Sequence, residues 1–253
     1  MRMHLLSGGR LVSPRRFYFE DAPKGSTIEL PVSCALIKHK QGNVLFDTGC
    51  HPDAVAHGEA RWGALVKVAT PIFRPEDTVA HQLPKAGLTP ADIDVVVCSH
   101  LHMDHCGCNA FFPRAVVICH AKELAAASAP DAEDRGYVRA EWDYGATFET
   151  VEGERDLFGD RRLTLIPTPG HTAGSLIAHV VLDRDGAFVI TSDTVAVRES
   201  LEARTVPRIN FDADLTLKAY DEIERLQKDG AEVIFSHDDT QWRTLRTGEA
   251  FYE

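Results

Sequence analysis

Short apolar runs alternate with amphipathic stretches along most of this chain. Runs rich in apolar and β-branched residues between turn signals predict strands at 32–38, 43–47, 95–99, 115–119, 163–166, 175–182, 187–192 and 232–236. Helices are predicted at 78–86 and 121–128, after Thr89-Pro90, and along an apolar face carrying Leu215, Ala219, Ile223 and Leu226. Strand and helix signals repeat in both parts of the chain, which predicts an α/β fold with two similar halves facing each other.

Two long stretches show little periodicity. Residues 130–160 are acidic and dotted with aromatic residues, and we interpret them as the connection between the halves. Residues 52–77 form a second long irregular segment, and ordered loops of that length inside a domain tend to be functional. No repeat interrupts the pattern, so we expect a single domain spanning 1–253.

The composition and net charge limit the kinds of molecule that this protein is expected to bind. The 253 residues are 44% hydrophobic and 26% charged, as in ordinary globular proteins. The 27 Lys and Arg against 38 Asp and Glu give a net charge of −11, which repels nucleic acid and anionic lipid. No apolar run is long enough for a membrane span or an export signal, so we expect a cytoplasmic protein whose six cysteines are reduced.

Histidines crowd at the exit of one predicted strand. Residues 99–105 read SHLHMDH, directly after the buried run VVVC. Alternate side chains of the extended part point the same way, which would bring His100 and His102 to one metal ion. Asp104 and His105 would then turn toward a second ion. The alternative is a solvated polar loop, which rarely holds three histidines and an aspartate in six positions.

A two-metal site needs more ligands than this cluster provides, and three further candidates follow strands. His171 comes after a strand and a Pro-Gly turn, while Asp193 and His237 each stand at the end of another strand. Each alone has an ordinary explanation, since Asp193 could cap a helix and His237 could be a surface histidine. Their common position at strand exits favours a shared metal site.

This ordered set, with FDTG at 46–49, closely resembles the metallo-β-lactamase superfamily over roughly residues 30–240. The resemblance implies an αββα sandwich of two similar halves and two Zn²⁺ ions per chain. The ligands it implies are His100, His102 and His171 for one ion, Asp104, His105 and His237 for the other, and Asp193 as the bridge. Redox members of the superfamily carry Glu where this chain has His102, so the resemblance favours hydrolysis.

Within the superfamily, the segments NVLFDTG, FPRA and SHDDTQWRTLRTGEAFYE are similar to those of bacterial lactonases. That group includes the quorum-quenching N-acyl homoserine lactonases and 4-pyridoxolactonase. Glyoxalase II-like thioesterases typically carry a further C-terminal helical domain, for which the 16 residues after His237 leave no room. True β-lactamases are usually exported, and RNA-processing members carry an added nuclease domain.

Two positions depart from the lactonase pattern. The homoserine lactonases usually place a tyrosine three residues after the bridging aspartate, where it hydrogen-bonds the substrate carbonyl, but this chain has Ala196. Either another group supplies the contact, with Tyr137 and Tyr144 as candidates, or the substrate differs. The other departure is Cys108, where glycine is commoner. The Cys106-Gly-Cys108 motif could suggest thiolate ligation, but the implied site already has seven nitrogen and oxygen ligands.

The chemistry of a two-zinc hydrolase suggests roles for residues of this chain beyond metal binding. Asp104 is the candidate to carry a proton to the leaving alkoxide, and Asp47 is the candidate acceptor for the N–H of a ligand histidine, unless it only caps a turn. Trp62 and Phe73, with Leu65, Val66 and Ile72, could line a pocket for an acyl chain, although such residues often only tie a loop to the core.

Two classes of function follow. The first is a dinuclear zinc hydrolase of small neutral lactones, most simply an N-acyl homoserine lactone, with 4-pyridoxolactone or a thioester or ester as alternative substrates. The second is a non-catalytic module in which a closed metal shell is structural. We expect the chain to act as a monomer or homodimer, without nucleic acid or membrane as a partner.

Overall fold

Two β-sheets lie face to face in the computed structural model, which describes residues 1–253. The strands are β1 (Arg2–Pro14), β2 (Thr27–His39), β3 (Gly42–Phe46), β4 (Thr70–Pro71), β5 (Val95–Val97), β6 (Val116–His120), β7 (Phe148–Val151), β8 (Arg155–Asp156), β9 (Leu163–Pro167), β10 (Leu176–Val181), β11 (Ala187–Ile190) and β12 (Glu232–Ile234). The first sheet has seven strands in the order β4-β1-β2-β3-β5-β6-β7, and the second has five in the order β12-β11-β10-β9-β8. The two halves are therefore alike in architecture but unequal in size.

Helices cover the outer faces of both sheets. The eight helices of the chain are α1 (Ala54–Trp62), α2 (Val79–Gln82), α3 (Met103–Cys106), α4 (Ala121–Ala127), α5 (Arg139–Trp142), α6 (Arg198–Glu202), α7 (Ala213–Lys228) and α8 (Asp239–Trp242), with short 3₁₀ turns between some of them. None of these helices has the length and apolar character required to cross a bilayer.

Successive side chains of a strand point to opposite faces of the sheet, and this alternation separates the core between the sheets from the core beneath the helices. Along β2, Ala35 and Ile37 point into the space between the sheets, where they meet residues such as Leu165 of β9. Leu36, between them, points outward and joins the cluster that packs with Leu83 and other helical residues. Since both faces of the central strands are covered, their sequences read as continuous apolar runs, as in VVV of β5.

The second sheet is covered by α7. Its apolar face buries Tyr220, Ile223 and Leu226 against Ile177 and Val189 on the outer face of the sheet. The spacing of these helix residues matches one face of a 3.6-residue period, as the sequence predicted. The α/β prediction and the αββα sandwich are confirmed.

One of the two longest strands of the first sheet was missed from the sequence. β1 pairs with β2 from Arg2↔Lys38 to Pro14↔Thr27, with a register shift between Ser7 and Arg10. The sequence there contains Gly8-Gly9, which suggests a turn rather than a strand. Gly8 is required because a Cβ on it would lie 2.7 Å from the Cα of Gly49, so two backbones cross here without side chains.

Two other expectations need correction. Residues 52–77 are not irregular: they contain α1, which is kinked at His57, and a 3₁₀ turn at Gly63–Lys67. Residues 130–160 do link the sheets, but they also provide β7 at the edge of the first sheet and β8 at the edge of the second. The predicted helix at 78–86 is α2 followed by a 3₁₀ turn at Leu83–Ala86, because Pro84 lacks the N–H that a continuing helix needs.

Candidate metal centre

Loops at the ends of five strands meet at one edge of the two sheets. The first sheet contributes the turn after β3 and the loop after β5, which pair in parallel and therefore end on the same side. The second sheet contributes the loops after β9, β11 and β12. Seven side chains converge there: His100, His102, Asp104, His105, His171, Asp193 and His237. These are the seven residues that the sequence singled out.

Three groups of these residues place their ligand atoms within 4.8 Å of one another. The groups are His100 with His102 and His171; His100 with His105 and Asp193; and Asp104 with His105 and His237.

Asp193 lies between the two sides of the centre. Its Oδ1 is 2.9 Å from Nε2 of His237 and 3.3 Å from Nε2 of His105, while its Oδ2 is 3.5 Å from Nε2 of His171. Ser236 donates a hydrogen bond of 2.8 Å to Oδ1 and fixes the rotamer of the carboxylate. One carboxylate thus faces both histidine groups with different oxygens.

Each of the five imidazoles forms a hydrogen bond to an oxygen atom through one of its ring nitrogens. His237 Nδ1 donates to the Pro31 carbonyl at 2.7 Å, and His102 Nε2 donates to the Arg135 carbonyl at 3.0 Å. The remaining pairs are His100 Nδ1 with Ser99 Oγ, His105 Nδ1 with Asp47 Oδ2, and His171 Nδ1 with Asn210 Oδ1. In a neutral imidazole the other nitrogen then carries a lone pair, and all five of these lone pairs point into the centre.

Asp47 organises the side of the centre that belongs to the first sheet. It follows β3 with a positive φ of 61°, is 1% exposed, and accepts from the backbone N–H of Ser99 at 2.7 Å. The hydroxyls of Ser99 and Ser192 and Nδ1 of His105 all reach its Oδ2, at 2.8, 3.0 and 2.9 Å. Asp47 therefore orients His105 and does more than cap a turn.

Unsatisfied nitrogens indicate that these residues suit a metal cation. Nε2 of His100 and Nε2 of His105 are buried and make no hydrogen bond. Nε2 of His171 and Nδ1 of His102 lie 3.2 Å apart, and each belongs to a ring whose other nitrogen donates elsewhere. Two lone pairs at that distance repel each other unless a cation lies between them. The donor set therefore fits a metal ion.

The electrostatics of the two sides differ. Burial and the neighbouring imidazole of His171 lower the pKa of His102 to about 3, and burial holds the pKa of His100 well below its usual value. These histidines are therefore neutral, which is the state that binds a metal. Burial opposes protonation of His105 and His237, but the nearby carboxylates, Asp193 first among them, together outweigh it and raise the pKa of both.

A family model described as the metallo-beta-lactamase superfamily matches residues 27–237. The chain belongs to this superfamily. The resemblance drawn from the sequence motifs is therefore confirmed.

Relatives align along nearly the whole chain. N-acyl homoserine lactonase AiiB of Agrobacterium fabrum is 32% identical over 248 residues, which cover 89% of this chain and 86% of the relative. N-acyl homoserine lactonase AttM of Azorhizobium caulinodans is 27% identical over 260 residues, covering 100% and 99%. A solved structure of an N-acyl homoserine lactone hydrolase also matches, with a TM-score of 0.89 and 25% sequence identity. The match covers 99% of this chain and 98% of that chain, and that structure contains the product N-hexanoyl-L-homoserine at its catalytic metal centre.

The aromatic residues proposed for an acyl pocket lie beneath the surface. Trp62 and Phe73 are 3% and 6% exposed and belong to one apolar cluster with Met103 and Ala196. Trp62 Nε1 also donates to the buried carboxylate of Glu141 at 2.9 Å. Both aromatic residues tie the 52–77 segment to the core.

The two candidate tyrosines occupy different places. Tyr137 is buried beside His102, with ring centroids 5.0 Å apart, and its hydroxyl lies near Glu123 and Thr172. Tyr144 is 36% exposed and lines a surface groove with Val116, which begins β6. Since the metal-binding loops follow the opposite ends of the parallel strands, Tyr144 is not brought to the centre.

The thiols of the CxC motif also point elsewhere. Cys106 Sγ contacts the carbonyl of His102 and Cys108 Sγ contacts that of Cys50. Burial raises the pKa of both thiols, so they remain neutral, and neither belongs to a group able to hold a metal.

Several residues of the centre were missed from the sequence. Ser99 and Ser192 share the Asp47 carboxylate, and Asn210 orients His171. Glu123 is a further case, because it lies in an Ala-rich stretch that gives no sign of an inward carboxylate. Only the positions of Ser99 and Ser192 beside candidate ligands could have suggested their role.

Proposed function

We propose that this chain is a dinuclear zinc hydrolase that opens the ring of N-acyl homoserine lactones. The observation that carries the proposal is the carboxylate of Asp193, whose two oxygens face imidazole nitrogens of separate histidine groups. Nitrogen and carboxylate donors without a thiolate suit zinc. The full-length similarity to N-acyl homoserine lactonases supports the substrate class.

The ligand roles follow from the grouping of atoms. His100, His102 and His171 would hold one ion, Asp104, His105 and His237 the other, and Asp193 would touch both. Bound zinc lowers the pKa of a water ligand to about 7 and polarises a carbonyl, which supplies hydrolytic chemistry at neutral pH.

Asp104 is the residue we assign to proton transfer. Its Oδ2 lies 3.7 Å from Nε2 of both His105 and His237, and its side chain is 13% exposed, more than that of Asp193 at 8%. It therefore combines contact with the centre and access to a substrate atom. In this role it would carry a proton to the alkoxide that leaves when the lactone ring opens.

Exposed apolar side chains beside the centre offer a surface for an acyl chain. Ile209 and Phe211 are 42% and 55% exposed, and they flank Asn210, which hydrogen-bonds His171. The backbone N–H of Phe211 donates to the His171 carbonyl at 3.0 Å, so this surface is fixed to a proposed ligand. We assign the acyl contact to Ile209 and Phe211 rather than to the buried Trp62 and Phe73.

Tyr18 can supply the phenol that position 196 lacks. The segment that carries Tyr18 contacts the part of the chain that follows Ala196. The Phe17 carbonyl accepts from the Arg208 N–H, and Arg15 forms an ion pair with Glu199 at 3.4 Å. Tyr18 and Ala196 belong to the same cluster. After burial, the carboxylates of Asp193 and Asp104 contribute most to raising its pKa, so the hydroxyl lies within their field.

If Tyr18 hydrogen-bonds the substrate, Tyr18→Phe lowers kcat/KM on an N-acyl homoserine lactone by a few-fold to about tenfold. One neutral hydrogen bond contributes about 0.5–1.5 kcal/mol, and about 1.4 kcal/mol corresponds to one decade. Steady-state kinetics with metal analysis provides the measurement. Tyr220→Phe is the control, because this buried phenol donates to the Thr205 carbonyl away from the centre. Unchanged kinetics in Tyr18→Phe would remove Tyr18 from the site.

The remaining parts of the proposal concern organisation. We propose a single domain over 1–253 that acts in the cytoplasm as a monomer or homodimer. Its partner is a small neutral lactone, which the net charge of −11 does not repel, whereas nucleic acid and anionic membranes would be repelled.

A substrate panel tests the function. The zinc-loaded protein is assayed on N-acyl homoserine lactones of several chain lengths, a pyridine-fused lactone, a thioester and a β-lactam. We expect the highest kcat/KM on an acyl homoserine lactone, and loss of activity after chelation with recovery on adding zinc. Higher kcat/KM on the pyridine-fused lactone or the thioester would reassign the substrate, and no hydrolysis with both metals bound would favour a structural module.

A further inference from the structure

Glu123 is a fully buried carboxylate in the first turn of α4, outside the set of proposed ligands. Its Oε1 accepts from the backbone N–H of Leu101 at 2.9 Å. Its Oε2 accepts from the Thr172 hydroxyl at 2.6 Å and from the Gly174 N–H at 3.2 Å. The Tyr137 hydroxyl also lies close to this carboxylate. None of these groups is a cation, so the contacts are not explained by an ion pair.

The donors belong to the loops that carry three of the metal-binding histidines. Leu101 stands between His100 and His102, and Thr172 directly follows His171. One carboxylate therefore joins a loop of the first sheet to a loop of the second. The two loops meet where Nδ1 of His102 and Nε2 of His171 lie 3.2 Å apart.

Close packing keeps this link in place. A Cβ on Gly174 would lie 2.4 Å from the backbone nitrogen of Glu123, so the loop after His171 touches the start of α4 directly. On the other side, Tyr137 pairs with His102 through a backbone bridge, and its hydroxyl reaches Glu123. Burial raises the pKa of Glu123, while its hydrogen bonds oppose that shift. Burying a carboxylate costs free energy. We therefore interpret Glu123 as a group whose hydrogen bonds fix the positions of the loops around it.

We propose that Glu123 is a positioning residue for the subsite formed by His100, His102 and His171. The inference rests on the proposed two-metal function. It predicts an asymmetry, because the subsite of Asp104, His105 and His237 is held by other groups. His105 is fixed by Asp47 and His237 by the Pro31 carbonyl, and neither contact involves Glu123.

The test is Glu123→Gln, which keeps the shape of the side chain but turns half of it from acceptor into donor. The zinc-loaded protein is titrated with a competing chelator. We expect one of the two ions to bind about 10- to 100-fold more weakly, which is the usual effect of losing a contact that orients a ligand, and the other to bind as before. Equal weakening of both ions, or no change in a folded variant, would overturn the proposal.

Glu141→Gln is the matched control. Glu141 is also buried and accepts from Arg61 and Trp62, and it makes no hydrogen bond to a residue of the metal centre. We expect a change in Tm with both zinc affinities retained. If Glu141→Gln weakened one ion as Glu123→Gln does, the asymmetry would reflect a general loss of stability, and the positioning role would be withdrawn.

A second pair of variants tests the same proposal if Glu123→Gln does not fold. Thr172→Val removes one donor to Glu123 at nearly constant volume, and Thr172→Ser restores the hydroxyl. We expect selective weakening of one ion in the valine variant and recovery in the serine variant; the same affinity in both would contradict the proposal. Because the readout is metal affinity, a wild-type protein that binds two ions but opens no lactone would reject the function and leave this inference standing.

Discussion

Asp193→Asn is expected to lower kcat/KM on an acyl homoserine lactone by at least about a hundredfold and to reduce the affinity for both metal ions. The variant keeps the size of the side chain but removes the charge and one of two oxygens. Those oxygens face His237 and His105 on one side and His171 on the other, at 2.9, 3.3 and 3.5 Å. Loss of contacts that merely orient ligands costs 10- to 100-fold, so loss of a shared ligand should cost more.

Asp104→Asn provides the comparison. Asp104 lies near only one group of histidines, at 3.7 Å from His105 and His237. We therefore expect it to weaken one ion and to retain more activity than Asp193→Asn. Kinetics and metal content measured on the same preparations decide between the two. Near wild-type turnover with two ions bound in Asp193→Asn would mean that another residue links the subsites.

The sequence was sufficient for the elements whose residues carry one strong signal. The β-branched run VVV indicated a strand covered on both faces, and the histidine cluster after it marked the edge of the sheet where the site forms. The amphipathic α7 was equally clear, because its apolar positions repeat at the helical period. These features depend on local pattern, which the sequence records directly.

The features that were missed depend on contacts between distant segments. β1 contains a Gly-Gly pair that normally signals a turn, and only the crossing of Gly8 over Gly49 explains it within a strand. Position in the sequence likewise does not reveal that Asn210 reaches His171, 39 residues earlier in the chain. Glu123 could not be recognised because a glutamate in a short helix is usually solvated.

The surface proposed to bind the acyl chain was also missed from the sequence, because it depends on contacts between distant segments. The sequence offered aromatic and apolar residues of a long loop as a possible acyl pocket, with attachment of the loop to the core as the alternative. α1 instead packs Trp62 against the core, and the exposed apolar residues next to the centre come from the segment before α7. Burial depends on which segments meet in space, so hydrophobicity alone could not separate a substrate surface from a structural anchor.

The last prediction separates the two metal subsites. His171→Ala is expected to bind about one zinc ion per chain, because His100 and His102 then remain without the imidazole that completes their group. His237→Ala is expected to lose the other ion, since Asp104 and His105 would remain with Asp193 alone. Both variants should lose at least about a hundredfold in kcat/KM, because hydrolysis at a two-metal site needs both ions.

Metal analysis of the dialysed proteins, with chelator titration, makes the measurement. His179→Ala serves as the control because this half-buried histidine lies on β10, outside every group able to hold a metal, and it should retain two ions. Combining His171→Ala with His237→Ala should abolish tight binding. Two ions retained in either single variant would refute the assignment of that histidine. Loss of both ions in each single variant would show that the subsites do not bind independently, because Asp193 needs both neighbours to hold either ion.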